Sequence, residues 1–502
     1  MPIVRRYIDG RWVTLNTDSF ALAAQSLSDI RDWYRLLRAY YDNNGLYDEL
    51  RAIGMELGYT EVDLRSLRNP ANRVVEFHAA KLWPGALPEA LPVSADNEAI
   101  IPAIHQFWTW SNWAVQKQIA ARWLAMYGDL FAKVETKRDG TGAAYRIFIK
   151  LVDPRYVPDF EEDERGFLTR LRTDVPTVVE EEGREFQVWN TEIWDKSTST
   201  MRIWSEHRQG YDADLDRLGD PDWEQPLSDF GIDFVPAVHA RFREDGSERG
   251  AGAFAQQIDK IDEANVIASR LHQELYRYNV PSKVLEGQAT DSRGKPLPPP
   301  LIDDESNGAV EVLNGMLVWR LPSGWQLNDA TPQIDYSAAL SILNAQMDEL
   351  EEDLPELGYY RLRDSGNLSG RAVRLMLGDA IDRVLEARGN AEAALERLNE
   401  MALTIGANTG LFDAIGDYAS GDFAHSFASR EVLPLSEVEG AETVKAYVEA
   451  GLALRTALRA AGWDAERVER ALEEKRQAAA EEQSQLGEAL MRSLRDFDQE
   501  AA

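Results

Sequence analysis

The chain contains no cysteine. Disulfides, thiolate metal sites, iron–sulfur clusters and Cys nucleophiles are thereby excluded, and with them redox chemistry through sulfur. No apolar run approaches the ~18 residues of a membrane span. The opening stretch, MPIVRRYIDGRWVTL, carries charges where a secretory signal needs apolar residues, so a soluble, non-secreted chain with no membrane partner is expected. G-x-S-x-G, G-x-x-x-x-G-K-[ST] and G-x-G-x-x-G do not occur, which removes the hydrolase elbow, the P-loop and the dinucleotide fingerprint. Positive charge is scarce as well: 54 Lys and Arg stand against 86 Asp and Glu, a net charge of −32. Such a surface repels nucleic acid and argues against tight wrapping of DNA. It suits either a wall past which DNA slides without sticking, or simply solubility.

What is present is a chain of 502 residues, long enough for more than one packed unit. With 44% apolar and 28% charged residues, and 14 Trp, 17 Tyr and 16 Phe, it has the composition of a folded protein with ample core. Asp9-Gly10 between two β-prone runs predicts an opening hairpin. From about Ser26 to Met126 the apolar residues fall at helical spacing (Ile30, Trp33, Tyr34, Leu37, Tyr41), and residues 128 to about 240 turn β-rich. Ala253 to Asn279 carries a helical stripe of Phe254, Ile258, Ile261, Asn265, Ala268, Leu271, Leu275 and Tyr278.

Residues 281–332 hold seven of the 21 prolines and predict irregular structure with one hairpin around VEVLNGMLVWRL. Helix resumes at Gln333–Leu354, and Pro355 stops it. The stretch PELGYYRLRDSGNLSG has no helical period and reads as a loop. Ser369 then makes an N-cap for a helix roughly 55 Å long, with Val373, Leu377, Ile381, Val384, Ala391, Leu395, Leu398, Ala402 and Ile405 on one face. The fold class expected is α+β, predominantly α.

Several clusters invite chemistry. The six histidines include no i,i+4 pair, so they read as scattered structural residues, and no metal ligand is assigned. Asp212, Asp214 and Asp216 imitate a calcium loop, but Arg217 and Trp223 occupy its Gly and Glu positions. The aromatics of Phe107-Trp108-Thr109-Trp110-Ser111-Asn112-Trp113 read as packing rather than a sugar platform. The run Glu161-Glu162-Asp163-Glu164 reads as a solvated loop, with a metal-dependent hydrolase as the alternative. The helix at 333–354 is more informative. It carries Asp348, Glu349, Glu351, Glu352 and Asp353 at its C-terminal end, where the helix dipole disfavours acids, and has no Lys or Arg. These are either an exposed face or a repulsive channel wall, or they meet cations from a neighbouring subunit. Tyr359, Tyr360, Arg361, Arg363 and Arg371 follow; they can touch a phosphate backbone or pair with the preceding acids.

The order of these elements resembles the portal proteins of tailed bacteriophages, the head–tail connectors, and is most similar to the type found in Gram-positive siphophages. The stretches that carry the resemblance are Arg38-Ala39-Tyr40-Tyr41-Asp42, Asn69-Pro70-Ala71-Asn72-Arg73-Val74-Val75, Val152-Asp153-Pro154-Arg155-Tyr156-Val157-Pro158, Val235-Pro236-Ala237-Val238-His239, Ile258-Asp259-Lys260-Ile261-Asp262-Glu263-Ala264-Asn265 and Leu368-Ser369-Gly370-Arg371-Ala372. They span roughly residues 30–410. The resemblance implies a wing at 1–252, stem helices at 253–280 and 333–354, a clip at 281–332, a tunnel loop at 355–369, a spine helix at 370–409 and a crown at 410–502. It also implies a ring, usually of twelve subunits, at one capsid vertex of the virion, assembled in the host cytoplasm with major capsid and scaffolding proteins. Double-stranded DNA passes through such a ring during packaging and ejection. The ring docks the terminase large subunit first and the head–tail adaptor later, and has no catalytic residues and no cofactor. Under this reading Lys283, Arg293, Lys295, Pro298, Pro299 and Pro300 lie at the docking surface of the clip, Asp348, Glu349, Glu351, Glu352 and Asp353 line the channel, and Tyr359, Tyr360, Arg361, Arg363 and Arg371 are the contact residues at the tunnel loop. A helical interaction scaffold outside any virus is the other alternative. If the clip assignment holds, deletion of residues 285–300 leaves rings assembling and abolishes adaptor or terminase docking in a pull-down; normal docking removes the assignment.

Overall fold

The structure, a computed structural model, describes residues 5–8, 11–14, 22–24, 30–46, 55–57, 68–138, 144–181, 183–278, 283–287, 293–295, 310–313, 316–319, 325–329, 336–363, 370–412, 415–416, 418–433, 444–460 and 468–477. Helices and antiparallel strands both contribute, giving a mixed α+β chain. It divides into two units, Met1–Asn72 with Phe254–Leu354, and Arg73–Ala253 with Pro355–Ala502.

In the first unit, β1 (Arg5–Ile8) and β2 (Arg11–Thr14) pair antiparallel with Ile8 opposite Arg11, the hairpin that Asp9-Gly10 predicts. β3 (Leu22–Ala24) pairs with β4 (Met55–Leu57). Helix α1 (Ile30–Asp42) buries Tyr34, Leu37 and Tyr40. The inner face therefore turns slightly from the expected one, with Tyr40 rather than Tyr41 innermost. The reason is polar. The Tyr40 hydroxyl donates to both oxygens of the buried Asp262 carboxylate, at 2.7 and 2.8 Å, so an otherwise costly buried charge is hydrogen-bonded. Asn69 Nδ2 donates to the Tyr40 carbonyl at 2.7 Å, and Asn265 accepts from the Arg68 amide.

Asp262 and Asn265 lie on α5 (Ile258–Tyr278), which begins after a 3₁₀ turn at Ala255–Gln257 and so starts later than the stripe suggests. Its partner is α6 (Tyr336–Asp353). Lys260, near the start of α5, reaches Glu349 and Asp353, near the end of α6, both at 2.6 Å, so the two run antiparallel. Between them the chain builds two ladders. β14 (Lys283–Gly287) pairs with β17 (Trp325–Asp329), Lys283 opposite Asp329. β15 (Val310–Leu313) pairs with β16 (Met316–Trp319), the hairpin expected around VEVLNGMLVWRL. The outer ladder was not foreseen, because its strands are far apart in sequence and no turn signal joins them.

In the second unit, α2 (Ala71–Leu82), α3 (Ile100–Trp110) and α4 (Trp113–Tyr127) precede the strands. Phe107, Trp108 and Trp113 are buried and Trp110 stacks on Phe412 at 5.8 Å, so the aromatic run is packing. Asn112 takes the left-handed conformation between α3 and α4, one that Asn tolerates better than most residues. β6 (Asp129–Arg138), β7 (Ala144–Val152) and β13 (Ala237–Arg241) form a three-stranded antiparallel sheet in the order β13-β6-β7. β8 (Phe160–Glu162), β9 (Leu168–Glu181), β10 (Arg184–Asp195), β11 (Thr200–His207) and β12 (Trp223–Pro226) form a five-stranded one. These are the β-rich part that the sequence predicts.

Residues 355–369, expected as a loop, include helix α7 (Leu357–Arg363). Tertiary packing overrides the poor helix propensity of Gly358 here, since Tyr359 and Tyr360 pack against the buried cluster of Phe77, Ala380, Val384 and Val432. The long helix expected from Ser369 is two helices, α8 (Gly370–Met376) and α9 (Gly378–Asn408), with Leu377 at the junction; residues 364–369, including Ser369, lie outside the described residues. Of the expected stripe, Leu377, Val384, Ala391, Leu395, Leu398, Ala402 and Ile405 are buried. α9 lies against β13, β6 and β7 and against α3. β18 (His425–Phe427) returns to pair with β5 (Val93–Ala95). The chain then runs through residues 444–449, α10 (Leu454–Ala460) and helical residues 468–477.

Three glycines let two backbones touch. Gly250 donates to Asp129 Oδ1 and Ala253 to the Ala125 carbonyl, both at 2.8 Å. A Cβ on Gly128 would stand 2.4 Å from the Gly250 oxygen, one on Gly250 2.1 Å from the Gly128 oxygen, and one on Gly252 2.4 Å from the Met126 oxygen. Gly128 also has a φ of +85°. Gly128→Ala therefore meets both a backbone clash and conformational strain, and is expected to destabilise the chain by about 3 kcal/mol or more, read by chemical denaturation. Unchanged stability would show that the contact opens without cost.

Candidate functional site

The proposed contact residues fall on α6, α7 and α8. On α6, Asp348 and Glu352 are exposed, Glu351 and Asp353 are half-buried, and Glu349 is exposed beside Lys260. The cation expected from a neighbouring subunit is thus supplied, for Glu349 and Asp353, by the same chain. The hydrogen bonds it donates to Asp353 and Glu349 hold the Lys260 ammonium above its ordinary range, at a surface position where such pairs contribute little stability. α6 is also uneven along its length. Its first twelve residues, YSAALSILNAQM, contain no charge, and there Leu340 (48% exposed) and Ile342 (56%) face solvent while Leu343 is buried. Along this one helix an uncharged surface is thus followed by an acidic one.

The tyrosines of α7 are packed inward. The Tyr359 ring meets the Phe77 edge at 5.5 Å and takes Lys81 Nζ 4.9 Å from its centre. The Tyr360 hydroxyl donates to the Arg73 carbonyl at 2.9 Å, and the Arg73 guanidinium lies 5.8 Å from the ring centre. Arg361 is exposed; Arg363 ends α7, and Arg371 is in the first turn of α8. Arg293 and Lys295 are exposed and Lys283 begins β14, whereas Pro298, Pro299 and Pro300 lie outside the described residues.

Sequence reasoning missed the residue that seats this segment. Glu356, immediately before α7, is fully buried, 2.9 Å from His78 Nε2 on α2 and 3.4 Å from Arg383 Nη1 on α9. No local pattern could have shown this, because His78 and Glu356 are 278 residues apart. Burial pushes the Glu356 carboxyl up. The hydrogen bond and charge of His78 and the charge of Arg383 outweigh that push and hold it below the ordinary carboxylate range.

The other acidic run does not assemble a metal centre. Glu161 pairs with Arg170 at 3.3 Å, and Asp163 accepts the Arg165 and Phe167 amides in a turn. Glu162 is not a solvated residue as expected: it meets His239 Nδ1 at 2.8 Å and Arg241 at 2.5 Å, while His239 Nε2 meets Asp129 at 2.8 Å. Among the described residues no group of three or more His, Asp or Glu is placed to hold a metal ion, and no helix is long and apolar enough to cross a membrane. Asp212 pairs with Arg172, and Asp214 caps a single helical turn, so they form a polar turn.

No known family profile matches the chain, and no curated protein matches it in sequence. Among solved structures it is similar to a chain of the neck of a native gene transfer agent particle computed with C12 symmetry, at 11% identity and a TM-score of 0.46, over 88% of this chain and 96% of that one. It is similar to a chain of the virion of the native gene transfer agent particle, at 12% identity and 0.47, over 89% and 96%. A chain from the neck of an empty particle computed with C6 symmetry gives 12% and 0.44, over 79% and 90%.

A carboxyl held low in the folded chain favours folding above its unfolded pKa of about 4.3, and that contribution is lost as pH falls through the lower folded value. The difference in thermal midpoint between the parent protein and Glu356→Gln, followed by circular dichroism, is therefore expected to hold constant above about pH 6 and to shrink below about pH 4. A difference independent of pH would show that Glu356 acts through shape alone.

Proposed function

We propose that the chain is a phage-type portal protein: a homo-oligomeric ring at one capsid vertex of a virion, through which double-stranded DNA is packaged and ejected. The observation that carries this reading is the nesting in the first unit. Two antiparallel helices, α5 and α6, enclose in sequence an outer ladder, β14 with β17, and an inner one, β15 with β16. This nesting supports the stem–clip–stem order that the resemblance to portal proteins implies.

The two halves of α6 then divide the labour. Its uncharged first half, with Leu340 and Ile342, packs against the next subunit, where burying apolar surface stabilises the ring. Its acidic end, with Asp348 and Glu352 at the surface, faces DNA and limits adhesion by repulsion, leaving the duplex free to slide. Residues 1–252 serve as wing, 281–332 as clip, 370–409 as spine and 410–502 as crown. The clip, with Lys283, Arg293, Lys295 and Pro298 to Pro300, receives the terminase large subunit and afterwards the head–tail adaptor, and capsid and scaffolding proteins meet the wing. The chain performs no chemistry of its own in this scheme; the motor hydrolyses the nucleotide.

Native mass spectrometry with negative-stain averaging tests the reading. The purified protein is expected as a ring of about twelve subunits, and the double substitution Leu340→Glu with Ile342→Glu as a folded monomer. A parent protein that stays monomeric at high micromolar concentration and in the presence of scaffolding protein would overturn the ring. Rings formed by the double variant would move the interface off α6.

A further inference from the structure

Helix α7 has seven residues, too few to hold a helix in water, so neighbours must seat it. Two of its contacts are half-buried tyrosines resting on α2. Leu357, the first residue of the helix, is buried as well. Glu356, immediately before it, differs in kind. Its carboxylate is shut away from solvent between His78 and Arg383, yet Oε2 has no hydrogen-bond partner among the described residues, and neither does His78 Nδ1, which is also buried. A buried carboxylate with one oxygen unsatisfied, beside a ring nitrogen also unsatisfied, is held by its remaining hydrogen bond to His78 and by the Arg383 charge. Once the carboxylate is neutralised, the imidazole and the guanidinium face an uncompensated, half-satisfied site.

We propose that Glu356, clamped between His78 and Arg383, is a lock that keeps α7 seated, and that neutralising it releases α7 while the rest of the second unit stays folded. The selectivity follows from how the surroundings are fixed. α2 and α9 are tied together independently of α7, since Arg388 on α9 donates to the Leu82, Lys81 and Arg430 carbonyls at 2.9, 2.7 and 2.7 Å. Phe77, Ala380, Val384 and Val432, over which the tyrosines lie, all belong to parts outside α7. Release thus changes what α7 presents, Tyr359, Tyr360 and Arg361 together, without dismantling what lies beneath. That a released α7 meets a DNA backbone rests on the portal reading; the lock itself does not.

Hydrogen exchange followed by mass spectrometry on the full-length protein tests the lock, comparing peptides over residues 357–363 with peptides over α4 as an internal reference. Glu356→Gln and His78→Gln are each expected to speed exchange in 357–363 by about tenfold or more with α4 unchanged. Where Glu356→Gln does not fold, Arg383→Gln, which keeps the buried pair and removes a cation that is partly exposed, is expected to give the same localised increase at smaller size. Unchanged exchange over 357–363, or an increase shared equally by α4, would overturn the lock. Absence of rings with the localised exchange intact would instead remove the portal reading and leave the lock standing.

Discussion

The close approach of α9 to the β13-β6-β7 sheet fixes the positions of most other parts of the second unit. Small residues on the inner face of α9 help the approach: Ala380, Ala387, Ala391, Ala394, Ala402 and Gly406 are buried there among larger apolar side chains. Small side chains bring a helix axis near its neighbours, and the polar residues flanking that face can then reach backbone on several sides. Asn390 donates to the Arg241 carbonyl at 3.1 Å, Arg397 to the Gly166 carbonyl at 3.1 Å, and Asn399 accepts from Trp108 at 3.1 Å. Glu392 accepts from the Trp83 indole and from Arg430. A bulkier face would lift all of these contacts together.

The first unit is held by a different device. Its long helix α5 buries polar groups, Asp262, Asn265 and Ser269, among apolar ones. Tyr40 and the Arg68 amide satisfy the first two, so α1 and residues 68–70 are fixed against α5 by specific hydrogen bonds as well as by apolar contact. Such pairing selects one register along α5, which a purely apolar stripe with a repeating pattern would not. The acidic charge of the chain is handled locally in the same way, with Lys260 set between Glu349 and Asp353 instead of leaving both to repel one another.

Much of this architecture was legible in the sequence, for physical reasons that differ from element to element. The opening hairpin, α5, α6 and the β-rich stretch announce themselves through turn chemistry and periodicity, which are local. The buried aromatics around Trp108 and Trp113 were legible because such residues are seldom left in water. What was not legible depends on partners distant along the chain. α7 hides behind Gly358 and gains its helix from Phe77 and Val384; the β14–β17 ladder joins strands with no turn between them; Glu162 looks like one of four solvated acids until His239 and Arg241 arrive beside it. The candidate contact residues divide similarly. Arg361 and the acids of α6 are at the surface as their composition suggests, but Tyr359 and Tyr360 face inward, since an aromatic ring next to an apolar cluster gains more there than in water.

The C-terminal end of α2 carries a last consequence. Two buried cations meet the carbonyls there and just beyond: Arg388, at Lys81 and Leu82, and Lys117, whose Nζ donates to the Trp83 and Gly85 carbonyls at 2.6 and 2.8 Å. Burial, with Arg430 nearby, lowers the pKa of both groups, that of Arg388 to about 10, so Arg388 is still charged at neutral pH. These cations lean on carbonyl dipoles inside the protein, beyond the reach of mobile ions, whereas the Lys260 bridge lies at the surface. Ionic strength therefore acts unequally on the two units: concentrated salt loosens the tie between α5 and α6 and leaves the frame around α2 and α9 as it was.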